Sequence, residues 1–435
     1  MTDKNPSLGL WTLAALVVGN MIGAGVFTTS GFALADLGSP APVLAAWCIG
    51  GLLALCGAVS YGALCRLVPG SAGEYLYLSR LVHPAAGFIA GWVSLLAGFT
   101  AAIAYSALTF AAYAWPGQHG SAVLKLVATG LIAIAVLLHA LRVRHGALVQ
   151  NVAVTVKLIL LIAFCGYSLF GPGAETWSGL AALREAGSPS VRPAAFALTL
   201  MWISFSYSGF NAAVYLAGEV PDASRVVPRA LVLGTVLTVF VYLGLNAVFV
   251  LAPSFEAAAG QEDIAAVAAR ALGGQPLADA MRLLIALALF TSVSAMVMAG
   301  PRVYARMADD GLFPRALRFR GETPSAAIIL QGTLAIGVVW FTGLRELLSY
   351  LGFTLGLSAA ATVASLFLAV RREPNRRHVL PGYPWAPLVF VTFTLLFAAL
   401  AATVEPLEML AALVTIAAGA LLYRVVGNDR ERRRH

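Results

Sequence analysis

Gly19-Asn20-Met21-Ile22-Gly23-Ala24-Gly25-Val26-Phe27 lies in the middle of an apolar run from Leu10 to about Ala35, long enough to cross a bilayer. Each glycine in a helix interior costs about 1 kcal/mol relative to alanine. Gly23 and Gly25 flank a single small residue, so the backbone can unwind here and leave room for a ligand. Unwound backbone at membrane depth is tolerated only inside protein or along a cavity. The stretch therefore reads as a substrate site built from helix ends. The plainer reading, a small-residue packing face for a neighbouring helix, stays open at this point.

Working outward, the whole chain is membrane-like. Of its 435 residues, 60% are hydrophobic and only 11% charged, with a mean hydropathy of +0.85; soluble domains carry about 25% charged residues. Twelve helix-length apolar spans can be drawn, at 10–36, 41–66, 84–114, 122–141, 150–170, 194–217, 228–252, 277–305, 325–342, 346–370, 385–403 and 406–425. They leave no room for a soluble domain, and the net charge of +8 does not point to nucleic acid. With the N-terminus inside, the cytoplasmic segments carry a formal +11 and the outer ones −4, with Lys157 inside a span. That asymmetry predicts both termini in the cytoplasm. The first run is too long for a signal-peptide core and reads as an uncleaved span. The outer connection Ser254–Leu272, Ala-rich with interleaved acids, reads as a short amphipathic surface helix, and 426–435 as a basic cytoplasmic tail.

Span six repeats the anomaly of span one. Phe205-Ser206-Tyr207-Ser208-Gly209-Phe210-Asn211 crowds small polar residues, a glycine and an amide into its middle, and such side chains compete with the helix ladder. A polar seam between helices would explain span six alone. Interrupted spans at corresponding places in two halves point instead to a transporter's binding site. Spans one and six fit two inverted five-span repeats, about 10–170 and 194–370, followed by two extra helices at about 385–425. The expected fold is thus an all-α integral membrane protein, with residues 1–425 forming one transporter domain of twelve transmembrane helices.

Four segments carry a family resemblance. The first-span stretch resembles GxxIGxGIF, and Pro69-Gly70-Ser71-Ala72-Gly73-Glu74-Tyr75-Leu76-Tyr77 resembles P-x-(S/A)-G-G-x-Y-x-Y with one glycine replaced by Ala72. Gly209-Phe210-Asn211, with Gly218-Glu219-Val220-Pro221-Asp222 and Val227-Pro228-Arg229-Ala230, resembles the sixth span and its exit. Arg306-Met307-Ala308-Asp309-Asp310-Gly311-Leu312-Phe313-Pro314 resembles the segment after span eight. In this order over nearly the whole length, they resemble the amino acid–polyamine–organocation transporter superfamily. The resemblance implies the inverted-repeat, LeuT-like fold and a small amine or amino acid as cargo.

An amino acid zwitterion suits these breaks. Amides freed at Gly23, Ala24 and Gly25 form a positive helix start for a carboxylate. Carbonyls near Met21 and Ile22, and around Phe205, Ser206, Tyr207, Ser208 and Gly209, can accept from an ammonium. Neither break contains an acid, and Asn211 stands where cation-selective members of the family often carry one, which favours a neutral cargo. By resemblance, Phe205 closes over the substrate; the plainer alternative is core packing. Lys157, within span five, is an intramembrane ion and functional by default. The resemblance implies that it holds span one against spans five and eight, with Ser292 and Ser294 as span-eight partners. Carriage of a coupled proton and snorkelling to the cytoplasmic face are the alternatives for it. Glu74 and Glu219 read as latches of the cytoplasmic side or as solvated acids.

No GxxxxGK[ST] motif, dinucleotide fingerprint or metal-ligand spacing occurs, and the four cysteines lie singly in apolar runs. The expectation is a secondary transporter of the plasma (inner) membrane that moves a small, neutral amino acid by proton symport or exchange. It needs no cofactor or metal, has the bilayer and the amino acid as partners, and carries no mark of oligomeric state. A polyamine or organocation carrier, and an amino acid sensor of the same fold, are the alternatives; a membrane enzyme would need more polar groups converging at depth.

Overall fold

The computed structural model describes residues 9–432, apart from 69, 72, 118–120, 141–145, 172–176, 179–190, 310, 319–323 and 376–379. All regular elements among the described residues are helical. The first span is two helices, α1 (Leu10–Met21) and α2 (Ala24–Leu37), bent by 43° at their junction. Next come α3 (Pro40–Leu67), the short α4 (Gly73–Leu81), and α5 (Pro84–Ala114), whose middle, Ser94–Ala101, is π-helical. Then follow α6 (Ala122–Ala140), α7 (Gly146–Phe170), α8 (Pro193–Ser206), a 3-10 stretch (Ala212–Glu219) and α9 (Ala223–Leu251). The rest is α10 (Phe255–Ala258), α11 (Ile264–Asp309), α12 (Ser325–Phe341), α13 (Leu344–Arg372), α14 (Trp385–Ala401) and α15 (Pro406–Arg432).

Seven of these are long and apolar enough to cross a membrane, eight with the bent pair α1–α2, and four further apolar helices are shorter. The chain is therefore a multi-pass, all-helical membrane protein. Three details differ from the sequence reading. The second half of span six is a 3-10 stretch rather than α-helix. The last helix runs on to Arg432, so residues 426–432 continue it. In α11, Gly273 (φ −146°, ψ 21°) and Gly274 (φ 68°, ψ −163°) break the helix, separating an outer surface segment from the span. That segment is helical as expected from Ile264, and it buries Ile264, Ala265, Ala268 and Ala269. The expected outer loop at 171–193 lies largely outside the described residues.

Small residues set how closely the helices approach. Along α3, Gly50 meets Ile203 of α8, while Gly51 and Gly62 meet Val239 and Pro228 of α9. These contacts draw α8 and α9 against α3, and α1 packs on the other side of α9. Trp47, Tyr207 and Tyr242 fill the junction, with ring centroids 5.0–5.5 Å apart. The loop after α10 docks on α2 backbone to backbone, with Gly260 N–H donating to Gly31 O (2.7 Å). A Cβ at Gly31 would lie 1.9 Å from Gln261 O, so only glycine admits this approach. The packing thus fixes the outer half of the broken span and leaves its junction facing α8.

Candidate substrate site at two helix breaks

The first break spans Ile22 and Gly23. Gly23 is extended (φ −127°, ψ −160°) and no side chain caps α2, whose first turn also lacks an acid. The opening amides of α2, at Ala24 and Gly25, thus form an uncapped positive helix end. On the other side, the two freed carbonyls are already engaged. Met21 O accepts from the Tyr242 hydroxyl, and Ile22 O accepts from Lys157 Nζ at 2.7 Å. Each carbonyl keeps a second lone pair, so half of the acceptor capacity expected for a ligand is taken by protein.

The second break begins where α8 ends at Ser206. Gly209 is left-handed (φ 99°), and Ser208 N–H turns back to Phe205 O (2.8 Å). The two breaks touch. A Cβ at Gly209 would lie 3.0 Å from the Asn20 carbonyl, and one at Gly25 would lie 2.5 Å from Ser206 Oγ. Thr29 Oγ1 is 3.0 Å from Ser206 Oγ. The Tyr242 hydroxyl lies between the two chains, in reach of Met21 O and, at 3.0 Å, of Ser206 O. Met21, Gly25, Ser206 and Gly209 are therefore one constellation.

The remaining expected residues separate. Phe205 is half-buried and stands edge-on to Tyr105, with centroids 5.4 Å apart; Tyr105 in turn hydrogen-bonds Thr28. Tyr207 turns away into the core, its hydroxyl donating to Trp47 O (3.3 Å). Asn211 points toward α4 and donates from Nδ2 to Glu74 Oε1 (3.4 Å). Lys157 is 3% exposed and reaches the break rather than the cytoplasmic surface, which excludes snorkelling here. The suggested partners Ser292 and Ser294 do not meet it. Ser292 donates to Ala288 O (3.0 Å), and Ser294 pairs with His139 Nε2 (2.8 Å). Two residues apart on a helix they lie about 200° apart in azimuth, so they cannot share one partner.

Two polar hubs flank the constellation. On one side, Arg345 at the start of α13 grips Asp36 of α2 with both Nη atoms (3.0 and 2.8 Å) and Glu405 with Nε (3.4 Å). Its guanidinium also lies 5.0 Å over the Trp202 ring. On the other, Glu74 of α4 accepts from Tyr61 of α3, from Ser358 of α13 (3.1 Å) and from Asn211. Burial raises the Glu74 carboxyl above the ordinary carboxylate range, against the hydrogen bonds from Tyr61 and Ser358. From sequence, Asn211 belongs to the site and Glu74 reads as a latch or a solvated acid, but Glu74, Arg345 and Tyr242 are not brought to the site. A lone tyrosine in an apolar span has no distinguishing pattern, although Asp36 and Arg345 could be found as opposite charges on one side.

Tyr242→Phe tests the tie between the breaks. It keeps the ring contacts and removes the one donor shared by Met21 O and Ser206 O. Leaving buried carbonyls short of a donor costs about 1–3 kcal/mol, so substrate affinity should fall by about tenfold. Unchanged affinity in a binding titration would show that the tyrosine only packs.

A broken first span, a second break in contact with it and an uncapped helix start narrow the comparison. The family model of amino acid permeases matches residues 8–421. The chain belongs to the amino acid permease family. It is 26% identical over 400 residues to the large neutral amino acids transporter small subunit 2 of Homo sapiens, covering 89% of this chain and 74% of that one. Against the serine/threonine exchanger SteT of Bacillus subtilis it is 25% identical over 399 residues, 88% of each chain. Against the Asc-type amino acid transporter 1 of Homo sapiens it is 26% identical over 408 residues, 90% and 77% of the two. The permease is thus a transmembrane amino acid transporter and not an enzyme, as its resemblance to the amino acid–polyamine–organocation superfamily implied.

Proposed function

We propose that the permease is a secondary transporter of a small neutral amino acid, working by alternating access between the two hubs. The carrying observation is the contact of two helix breaks beside an uncapped α2 N-terminus. The substrate carboxylate binds the amides of Gly23, Ala24 and Gly25, worth about 0.3–2 kcal/mol from the helix dipole alone. The ammonium takes the spare lone pairs of Met21 and Ile22 and the carbonyls of Phe205 to Ser208, while Phe205 covers the side chain. Ser206, Tyr207, Ser208, Gly209 and Asn211 shape the second wall, and Lys157 holds the first break.

In this reading twelve spans form two inverted repeats, 10–170 and 194–370, with 385–425 appended and both termini on the cytoplasmic side of the plasma (inner) membrane. The eight long and four shorter apolar helices, at nearly the expected boundaries, support it. A neutral cargo is favoured by breaks without acids and by relatives that exchange serine and threonine or carry large neutral amino acids. Transport proceeds by exchange or by proton symport.

Glu74 favours a second reading, an organocation carrier, because it supplies from another element the acid that the sixth-span break lacks. Counterflow separates the two. Liposomes loaded with one unlabelled amino acid at a time should take up the matching label for small neutral amino acids. Uptake with a diamine alone would make the organocation reading correct.

A further inference from the structure

The acid that the breaks lack in sequence is present in space, on the cytoplasmic side of the site. Glu74 joins four elements: its own α4, α3 through Tyr61, α13 through Ser358, and the exit of the second break through Asn211. None of its described partners is a cation, and it forms none of the described ion pairs. We propose that Glu74 is a proton-binding site, filled when the cytoplasmic side of the transporter closes around it and emptied when that side opens to water. This assignment rests on the transport reading above and supplies it with a coupling residue other than Lys157.

The hydrogen bonds accommodate both states. An ionised carboxylate accepts from all three neighbours. A protonated one donates to the oxygen of Tyr61 or Ser358, because a hydroxyl both donates and accepts. What differs between the states is burial without a counter-charge, which favours the neutral form. In keeping with this, burial raises the Glu74 carboxyl above its ordinary value.

The other titratable groups nearby are Tyr61 on α3, Tyr77 on α4 and Tyr215 on the 3-10 stretch, all neutral near pH 7. Arg66 of α3 neighbours Cys65 and does not act on Glu74. Arg372 of α13 reaches Leu81 O, at the far end of α4 (2.8 Å), and His83 caps α5. Among the described residues no charge facing Glu74 offsets its partial burial.

The state with the higher pKa is the one that protons favour. Acid therefore favours the closed inner side, and opening into water, where the carboxyl regains a pKa of about 4.3, releases the proton. The linkage is reciprocal. A substrate that drives closure also drives proton uptake. In this proposal the proton enters from the outer water by way of the site between the breaks and leaves to the inner water when that side opens. With this sidedness a pH gradient moves substrate. No bond other than O–H forms or breaks, and the proton comes from and returns to water.

Glu74→Gln, neutral and nearly isosteric, gives two tests. In detergent at neutral pH the variant should melt a few degrees above the wild type, the gap closing as the pH falls toward the ordinary carboxyl value of about 4.3. An equal melting point across this range overturns the proposal without reference to transport. In liposomes holding equal serine on both sides, with the membrane potential clamped, an acid exterior should make the wild type accumulate label several-fold. Glu74→Gln should show counterflow without accumulation. Counterflow in the wild type with no response to the gradient, or full accumulation by the variant, refutes the proposal. Should the variant not fold, Tyr61→Phe removes a donor to the ionised form and should move the gradient response to higher pH; an unmoved response overturns the assignment. Absence of counterflow for every amino acid in the wild type would refute the transport reading instead, and the melting test would still judge Glu74.

Discussion

Lys157→Met lowers amino acid flux by roughly two orders of magnitude while leaving expression and folding close to wild type. Two opposing effects set the stability. The substitution leaves Ile22 O without its Nζ donor, a cost of about 1–3 kcal/mol for a buried acceptor. It also removes a nearly fully buried ammonium with a single protein acceptor, relieving a desolvation penalty of several kcal/mol. The sum lies near zero or favours the variant. The effect on function has no such compensation. Lys157 is the only side chain among the described hydrogen bonds that fixes Ile22 O, the last carbonyl before the α2 amides. Without it the two sides of the break lose their register. A loss of about 3 kcal/mol in site organisation corresponds to a fall of roughly 150-fold in flux. Lys157→Arg should not restore it, since a planar fork does not replace a compact point donor in a closed site. The checks are initial rates of counterflow and a melting curve on the same sample. Near-normal flux would reduce Lys157 to a space-filling residue. Loss of both flux and folding would make it structural.

Much of this architecture was legible because its features are local. Gly23-x-Gly25 and Ser206 to Gly209 unwind at the places their composition indicates, and the helix boundaries follow the apolar runs to within a few residues. What was not legible is contact across long sequence separations. Tyr242 reaches Met21 across 221 positions, and nothing in its apolar span distinguishes it from a core aromatic. Glu74 shows the same limit more sharply. The breaks contain no acid in sequence, yet the α4 carboxylate lies against Asn211, so an argument from local composition missed a group brought by another helix. Ser292 and Ser294 fail for the opposite reason. Both were assigned to Lys157 by family resemblance, whereas helical periodicity gives them different faces and different partners. Small residues serve ligand room and helix packing with the same sequence pattern, and only the distance to the facing helix separates the two roles.

At Gly25 the two roles coincide, and Gly25→Ala separates them by sign. Helix propensity alone predicts that alanine near the start of α2 stabilises by up to about 1 kcal/mol. The packing predicts the reverse. An added Cβ would lie 2.5 Å from Ser206 Oγ, 2.8 Å from Ser206 Cα and 2.9 Å from its Cβ. Rotating the hydroxyl away relieves only the first of these, because the other two atoms belong to or adjoin the α8 backbone. The helices must then move apart. Overpacking of this kind costs about 1–3 kcal/mol, which exceeds the propensity gain, so the melting point should fall. Separation also breaks the Thr29–Ser206 contact (3.0 Å) and the span of Tyr242 between the two carbonyls. Substrate binding should therefore vanish in Gly25→Ala, although its amide is retained, and Gly25→Leu should be more severe. Ser206→Gly in the same chain removes two of the three clashing atoms and should recover part of the stability, a positive coupling in a double-mutant cycle. A higher melting point with intact binding in Gly25→Ala would mean that α2 and α8 do not meet here. The two breaks would then be separate irregularities rather than one site.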